Sequence, residues 1–303
     1  MKDGFEFLFK RGLFLTALAY SLMLCFSLPA ADPAQMSFPS AKKAGAGNSG
    51  FTLGVAYDGS YMDYREEGSL GDCLDKDTAY LNGLAVEARW ETTSIWTRFT
   101  AQYSRSGWAN YNGTTQDGTP LDLYTGERTY QYEGDLGYKA LNFSTSTLTP
   151  YIGLGYRIWY RGVDNLPDYE EKYTWNYCSA GVDYVLRLQR WTAGANAAVR
   201  VPFNMRLRTD LAGKYEEATF YLKTRVGFSV EAPVTYEFYG YQDDLHRARP
   251  SFFLYLTPYY QHWAIGASDP VVLTDGGAAG RAYYEPDSIT AIYGARAGIG
   301  VNY

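Results

Sequence analysis

From Phe51 to the final residue the chain is organised by alternation. Phe51, Leu53, Val55 and Tyr57 alternate with Thr52, Gly54, Ala56 and Asp58. Leu84, Val86, Ala88 and Trp90 alternate with Ala85, Glu87, Arg89 and Glu91, and Ile152, Leu154, Tyr156, Ile158 and Tyr160 with Gly153, Gly155, Arg157 and Arg161. A period of two is that of a β-strand, whose successive side chains point to opposite faces. The pattern recurs near residues 95–103, 130–140, 178–184, 191–201, 220–231, 251–265 and 288–303, which predicts ten strands, with eight or twelve as alternatives. In the stretch 220–231, Phe220, Leu222, Val226, Phe228 and Val230 read as one outward set, and Tyr221, Lys223, Arg225, Gly227 and Glu231 as the inward one. The segments are long. A strand of a soluble domain runs to about five or six residues, whereas a tilted strand crossing a bilayer needs about 9–11.

The connections alternate too. Short ones follow Glu91, Leu141 and Arg187; long polar ones lie near residues 66–78, 105–128, 162–171, 203–217 and 266–286. Tight turns at one end and long loops at the other are the habit of membrane barrels. The segment 232–249 breaks the rule, being long where parity asks for a periplasmic turn; it reads either as a long turn or as an extra strand pair. Backbone amides in hydrocarbon find no water, so a sheet survives there only if it closes on itself. The fold class expected is therefore all-β: a transmembrane antiparallel up-and-down β-barrel of about ten strands.

Composition agrees. The 303 residues carry 27 basic and 33 acidic side chains, a formal charge of −6, which disfavours a nucleic-acid partner. Mean hydropathy is −0.32, and after the N-terminus no apolar run reaches the length of a membrane helix. Aromatic residues make up 17% of the chain, including 30 tyrosines, as expected of rings placed where oil meets water. At the N-terminus Lys2, Lys10 and Arg11 precede the apolar run Leu13–Leu28, and small residues follow, with cleavage expected after Ala30. The organisation expected is a signal peptide at 1–30 (an uncleaved helical anchor being the alternative), a flexible periplasmic lead-in at 31–50 and a barrel at 51–303. Cys25 leaves with the signal. Cys73 in a polar stretch and Cys178 in mid-strand make neither a disulfide framework nor a zinc site, although a bridge between the two stays open.

The last strand carries a further signal. Tyr303, Val301, Ile299 and Ala297 form an apolar stripe ending on an aromatic, alternating with Asn302, Gly300 and Gly298. This ending resembles the assembly signal of Gram-negative outer-membrane β-barrel proteins, with tyrosine in place of the more usual phenylalanine or tryptophan. "TPYIGLGYRIWYRG" and the terminal "YYEPDSITAIYGARAGIGVNY" are similar to strands of small barrels of that class, porin-like or OmpA-like and of unassigned function. The resemblance implies a bacterial outer-membrane location, with membrane lipids and lipopolysaccharide as surroundings, the barrel-assembly machinery as a partner in biogenesis, and no cofactor. The oligomeric state stays open.

The inward-facing set carries both signs of charge. Glu87, Arg89, Arg98, Glu133, Asp135, Lys139, Arg157, Arg161, Arg200, Lys223, Arg225 and Arg296 are expected to form a lumen network, since the interior of a barrel this size is narrow and buried charges need partners. The leading functional expectation is a non-enzymatic barrel, its lumen filled by side chains, with a structural or surface-interaction role. The second is a narrow porin-like channel. The third is a rim enzyme. The omptin proteases of the outer membrane resemble this chain in length and in their Asp-His pair, here Asp244 and His246; yet only two strands follow His246, and parity puts it on the periplasmic side. His262, among Tyr259, Tyr260 and Trp263, reads as part of an interfacial aromatic belt. Asp72, Asp75 and Asp77 lack the spacing of a calcium loop, so no metal is expected.

Overall fold

The computed structural model describes residues 50–68, 73–114, 120–162, 169–211, 217–239, 250–275 and 278–303. Ten strands form the barrel: β1 (Gly50–Glu67), β2 (Cys73–Glu91), β3 (Ile95–Thr114), β4 (Pro120–Tyr138), β5 (Ser146–Arg161), β6 (Tyr169–Leu188), β7 (Trp191–Leu211), β8, β9 (Ser251–Gly266) and β10 (Asp287–Asn302). Strand β8 is broken into Ala218–Tyr221, Lys223–Thr224, Gly227–Glu231 and Val234–Tyr239. Each strand pairs antiparallel with its sequence neighbours, and β10 pairs with both β9 and β1, which closes the sheet. The short piece Leu141–Asn142 pairs with the start of β5, and between β9 and β10 a separate hairpin joins Val271–Asp275 to Ala278–Tyr283.

The register fixes the shape. A row of directly opposed residues can be followed once around: Phe51, Trp90, Thr97, Leu136, Ile152, Ala180, Val199, Phe228, His262, Ala291 and then Asp63. The row leaves β1 at residue 51 and returns at residue 63, a shear of twelve residues for ten strands. With normal strand spacings this requires a tilt of about 40° to the barrel axis.

The outer surface has the layering of a bilayer. Towards the external loops Tyr61 lies 5.0 Å from Tyr80 and 5.2 Å from Tyr293, Tyr103 lies 5.1 Å from Tyr130, and Phe228 lies 5.6 Å from Tyr260. At the other end Phe51 meets Tyr303 at 6.5 Å and Trp191 meets Tyr236 at 4.7 Å. Leu53, Val55, Leu84, Ile152, Leu154 and Ile299 are exposed between these two rings. From Phe51 to Tyr61 the tilted strand climbs about 25 Å, the height of the apolar band of a membrane barrel. Val301 and Ile299 lie on the lipid face of β10, and the Tyr303 backbone exchanges hydrogen bonds of 3.1 and 2.8 Å with Phe51. The aromatic ending thus sits on the seam where the last strand meets the first.

Two strands change phase, and each change corrects a simple reading of the alternation. In β7, Phe203 and Asn204 are both exposed, Asn204 has φ 52°, and the pairing with β6 slips between Thr174 and Asn176. Inward positions are Asn196 to Pro202 at even numbers before the bulge, and Met205, Leu207 and Thr209 after it. In β8, Arg225 and Val226 lie outside the ladder and both point outward, so one extra residue flips the faces. Phe220 and Leu222 are consequently buried inside rather than facing lipid. Lys223 and Arg225 are turned away from the lumen: Lys223 pairs with Asp269 at 3.0 Å, and Arg225 lies 3.8 Å from both Glu67 and Asp287 at the outer rim. The segment 232–249 adds no strand pair among its described residues; Val234–Tyr239 completes β8. Asp244 and His246 lie outside the described residues. Cys73 and Cys178 are both free, and Cys178 is exposed on the lipid face of β6.

Inside, aromatic rings of one strand lie across glycines of the next. The Tyr177 ring occupies the space a side chain on Gly155 would fill, as Phe253 does over Gly300. Gly155→Val is expected to displace Tyr177 and lower unfolding stability by about 1–3 kcal/mol, read from denaturant titration of the folded, heat-modifiable form.

Candidate functional site

The lumen has three storeys. At the periplasmic end lies a cavity of about 250 Å³, walled by Glu87, Arg89, Asp183, Arg187, Phe253 and Tyr255. Its charges are tied together: Arg89 contacts Glu91 at 2.5 Å and Asp183 at 3.4 Å, and the Lys139 ammonium donates to Glu91 at 2.7 Å and to the Thr92 carbonyl at 2.8 Å.

The middle storey is a packed polar network. Arg98 pairs with Asp135 at 2.8 Å, Arg200 with Glu133 at 2.7 Å and Arg296 with Glu231 at 2.6 Å. Asp58 accepts from the Tyr259 hydroxyl at 2.8 Å, the Ser104 hydroxyl at 2.8 Å and the Gln102 amide at 3.0 Å. Among these groups a void of about 10 Å³ is left, room for about one water. Arg157 differs from its neighbours. It donates to Gln131 at 2.7 Å, and its guanidinium lies 5.6 Å from the Trp175 ring centre and 5.3 Å from that of Trp263. Ring faces attract a desolvated cation and offset part of its burial.

The outer storey is apolar and aromatic. Trp159, Tyr173, Trp175, Tyr177, Tyr259 and Trp263 are almost fully buried, packed with Met62, Leu81, Met205, Leu207, Phe220 and Ile265. Above them Arg161 stands among carboxyl groups. It lies 3.3 Å from Glu66, 3.4 Å from Asp77 and 3.2 Å from Glu171, with its guanidinium 4.7 Å from the Tyr64 ring centre. Glu127 accepts from the Trp159 indole, and Glu285 accepts from the Tyr173 hydroxyl at 2.7 Å. Five buried carboxyl groups, Glu66, Asp77, Glu127, Glu171 and Glu285, thus surround one guanidinium. This cluster lies beyond the outer tyrosine ring, Glu66 being five residues past Tyr61. Burial pushes the Glu66 carboxyl up to about 7 against the opposing pull of Arg161, with Asp75 and Glu171 raising it further. Burial likewise holds Glu127 and Glu285 well above the usual carboxyl range.

Ten of the residues expected in the lumen line it: Glu87, Arg89, Arg98, Glu133, Asp135, Lys139, Arg157, Arg161, Arg200 and Arg296. The outer acidic cluster was missed because its members fall in stretches that read as loops. The signal was present: Tyr64 and Glu66 continue the inward phase of Asp58 and Ser60. His262 and Tyr260 face outward, the imidazole stacked on Phe228 at 5.1 Å, whereas Tyr259 and Trp263, expected in the same belt, face inward. Among the described residues no three histidine, cysteine, aspartate or glutamate side chains are grouped to hold a metal; Asp77 accepts from Thr125 at 3.0 Å.

The chain matches no protein-family description, and no curated protein matches it either. Solved structures do. The outer membrane protease OmpT of Escherichia coli is similar over 89% of this chain and 99% of its own, with a TM-score of 0.54 at 10% identity. The outer membrane protein OprG of Pseudomonas aeruginosa covers 86% of this chain and 98% of its own, with a TM-score of 0.39 at 9% identity. Neisserial surface protein A gives 82% and 96%, with a TM-score of 0.30 at 14% identity. The fold is that of an outer-membrane β-barrel, and the likeness to OmpT extends to the fold.

Proposed function

We propose that the protein is a non-conducting, non-enzymatic outer-membrane barrel, a rigid element serving envelope integrity and presenting the outer ends of its long strands to the surroundings. The observation that carries this reading is the lumen above the periplasmic cavity: a void of about 10 Å³ in the polar storey, then a packed, buried aromatic storey beneath a charged cap. Solute crossing would have to break the Arg200–Glu133 and Arg98–Asp135 pairs and part Trp175 from Trp263, whose ring centres are 5.5 Å apart.

The test is solute flux. Liposomes holding the refolded protein are expected to swell in small sugars no faster than protein-free liposomes; rapid swelling would establish the channel instead. Incubation with a peptide library is expected to leave it intact. Cleavage that His246→Ala abolishes would establish a protease.

A further inference from the structure

The periplasmic cavity of about 250 Å³ is larger than the void of about 150 Å³ that holds a benzene molecule, and its wall combines charges, hydroxyls and rings. Most of the charges are committed to one another. Arg89 is held by Glu91 and Asp183, Arg98 by Asp135, and Glu231 by Arg296 at 2.6 Å. Arg187 donates to the Thr147 hydroxyl at 3.1 Å and lies 4.0 Å from Glu91. Glu87 differs: its carboxylate has no hydrogen bond or ion pair among the described residues. Arg98 and Arg296 lie within electrostatic reach of it, and both are already paired with other carboxylates.

The register sets that carboxylate beside two rings. Glu87 lies directly opposite Gly54, Gly54 opposite Gly300, and Gly300 opposite Phe253. The two middle positions have no side chain, and rings lie across them. Phe253 leans over Gly300, and the Tyr255 ring and hydroxyl lie over Gly54, 3.2 Å from the point where a side chain there would start. The two ring centres are 5.8 Å apart. A carboxylate next to ring faces suits a cation, which is attracted by both. The neighbouring row supplies hydroxyls: Thr192 lies opposite Thr235, and Thr235 opposite Tyr255. None of these three hydroxyls has a hydrogen bond among the described residues. In the same wall the Asn196 amide nitrogen is buried without a hydrogen-bond partner. Buried polar groups need partners, and the hydroxyls of a ligand, which both donate and accept, supply them.

We propose that the periplasmic cavity binds a small hydroxylated amine, an amino sugar of a single ring. The ammonium sits at Glu87, the face of the sugar lies against Phe253 and Tyr255, and its hydroxyls meet Thr192, Thr235 and Asn196. A single sugar ring is somewhat larger than benzene, which suits the volume. The site lies below the polar storey and is independent of whether the lumen conducts.

The test is isothermal titration calorimetry of the folded full-length protein in detergent with glucosamine, at about pH 6, where an amine is charged. Saturable binding is expected. Glu87→Gln should bind about tenfold more weakly, from the loss of one charge-assisted hydrogen bond. Tyr255→Phe, which keeps the ring and removes the hydroxyl, should bind about threefold more weakly. Glu67→Gln, which removes a carboxylate at the outer rim, should bind as wild type does. N-acetylglucosamine keeps the hydroxyls and loses the charge; cyclohexylamine keeps the charge and loses the hydroxyls. Each should bind about tenfold more weakly than glucosamine. No saturable heat with glucosamine, unchanged affinity in Glu87→Gln, or equal binding of either analogue would each overturn the proposal. Heat-dependent gel mobility establishes that each variant is folded.

Discussion

Arg161→Leu is expected to lower the unfolding free energy by about 3–5 kcal/mol at pH 8, and by distinctly less at pH 5. The side chain is buried with Glu66, Asp77 and Glu171 all within 3.4 Å. Removing the cation leaves carboxylates facing one another where water cannot reach them. The pH dependence follows from the raised carboxyl groups. Glu66 is pushed up to about 7, and Glu127 and Glu285 are raised in the same direction. The folded protein therefore holds protons that the unfolded chain releases. That contribution is fully present below the ordinary carboxyl range and is lost as pH climbs through about 7. Wild-type stability should itself decline from pH 5 to pH 8, and the variant, which has only protons to neutralise its acids, should decline more steeply. Urea unfolding of the refolded protein at the two pH values measures both slopes. A loss independent of pH would contradict this account of the cluster.

The double truncation Trp175→Gly/Trp263→Gly should cost more stability still, and should also change permeability. Large-to-small changes of buried aromatics cost about 3–5 kcal/mol each. Here they also hollow out the part of the aromatic storey that lies directly over the polar one. Tyr177 loses a ring contact at 5.1 Å, and Arg157 and Arg200 lose the Trp263 face, at 5.3 and 5.2 Å. Water should then reach both guanidinium groups. Glu133 is already committed to Arg200, and Arg157 bonds to a glutamine amide, so the opened path should favour anions. Planar-bilayer recording is expected to show anion-preferring current in the variant. A folded variant that stays silent would mean that the polar storey alone closes the lumen.

Much of the fold was legible in the sequence because a barrel writes its two faces at alternate positions. Phe51 to Tyr57 on β1 and Ile152 to Tyr160 on β5 carry that pattern without interruption. Lys223 and Arg225 did not obey it, because a bulge inserts one residue and leaves no compositional mark: both residues are ordinary polar members of an alternating run. The bulge at Asn204 is similar, although asparagine is among the residues that tolerate a positive φ. The lumen charges were legible as a set but not as pairs. The partners Arg200–Glu133 and Arg98–Asp135 come from different strands, 67 and 37 residues apart, and only the register joins them. The outer cluster was illegible for another reason. Polar residues in strands that rise beyond the membrane look like loop residues, since the lipid-facing half of the alternation has gone, as at Arg65 and Glu67.

The central claim is that the cylinder is sealed between its periplasmic cavity and its outer face, and site-directed thiol labelling tests it most directly. In a protein lacking Cys73 and Cys178, Thr235→Cys places a thiol in the periplasmic cavity and Gln261→Cys one beside Arg157 in the polar storey. With oriented vesicles and a membrane-impermeant maleimide, Thr235→Cys should react from the periplasmic side alone. Gln261→Cys should react from neither side. Labelling of Gln261→Cys from the external face would mean that water runs through the barrel, and the account of the lumen would be wrong.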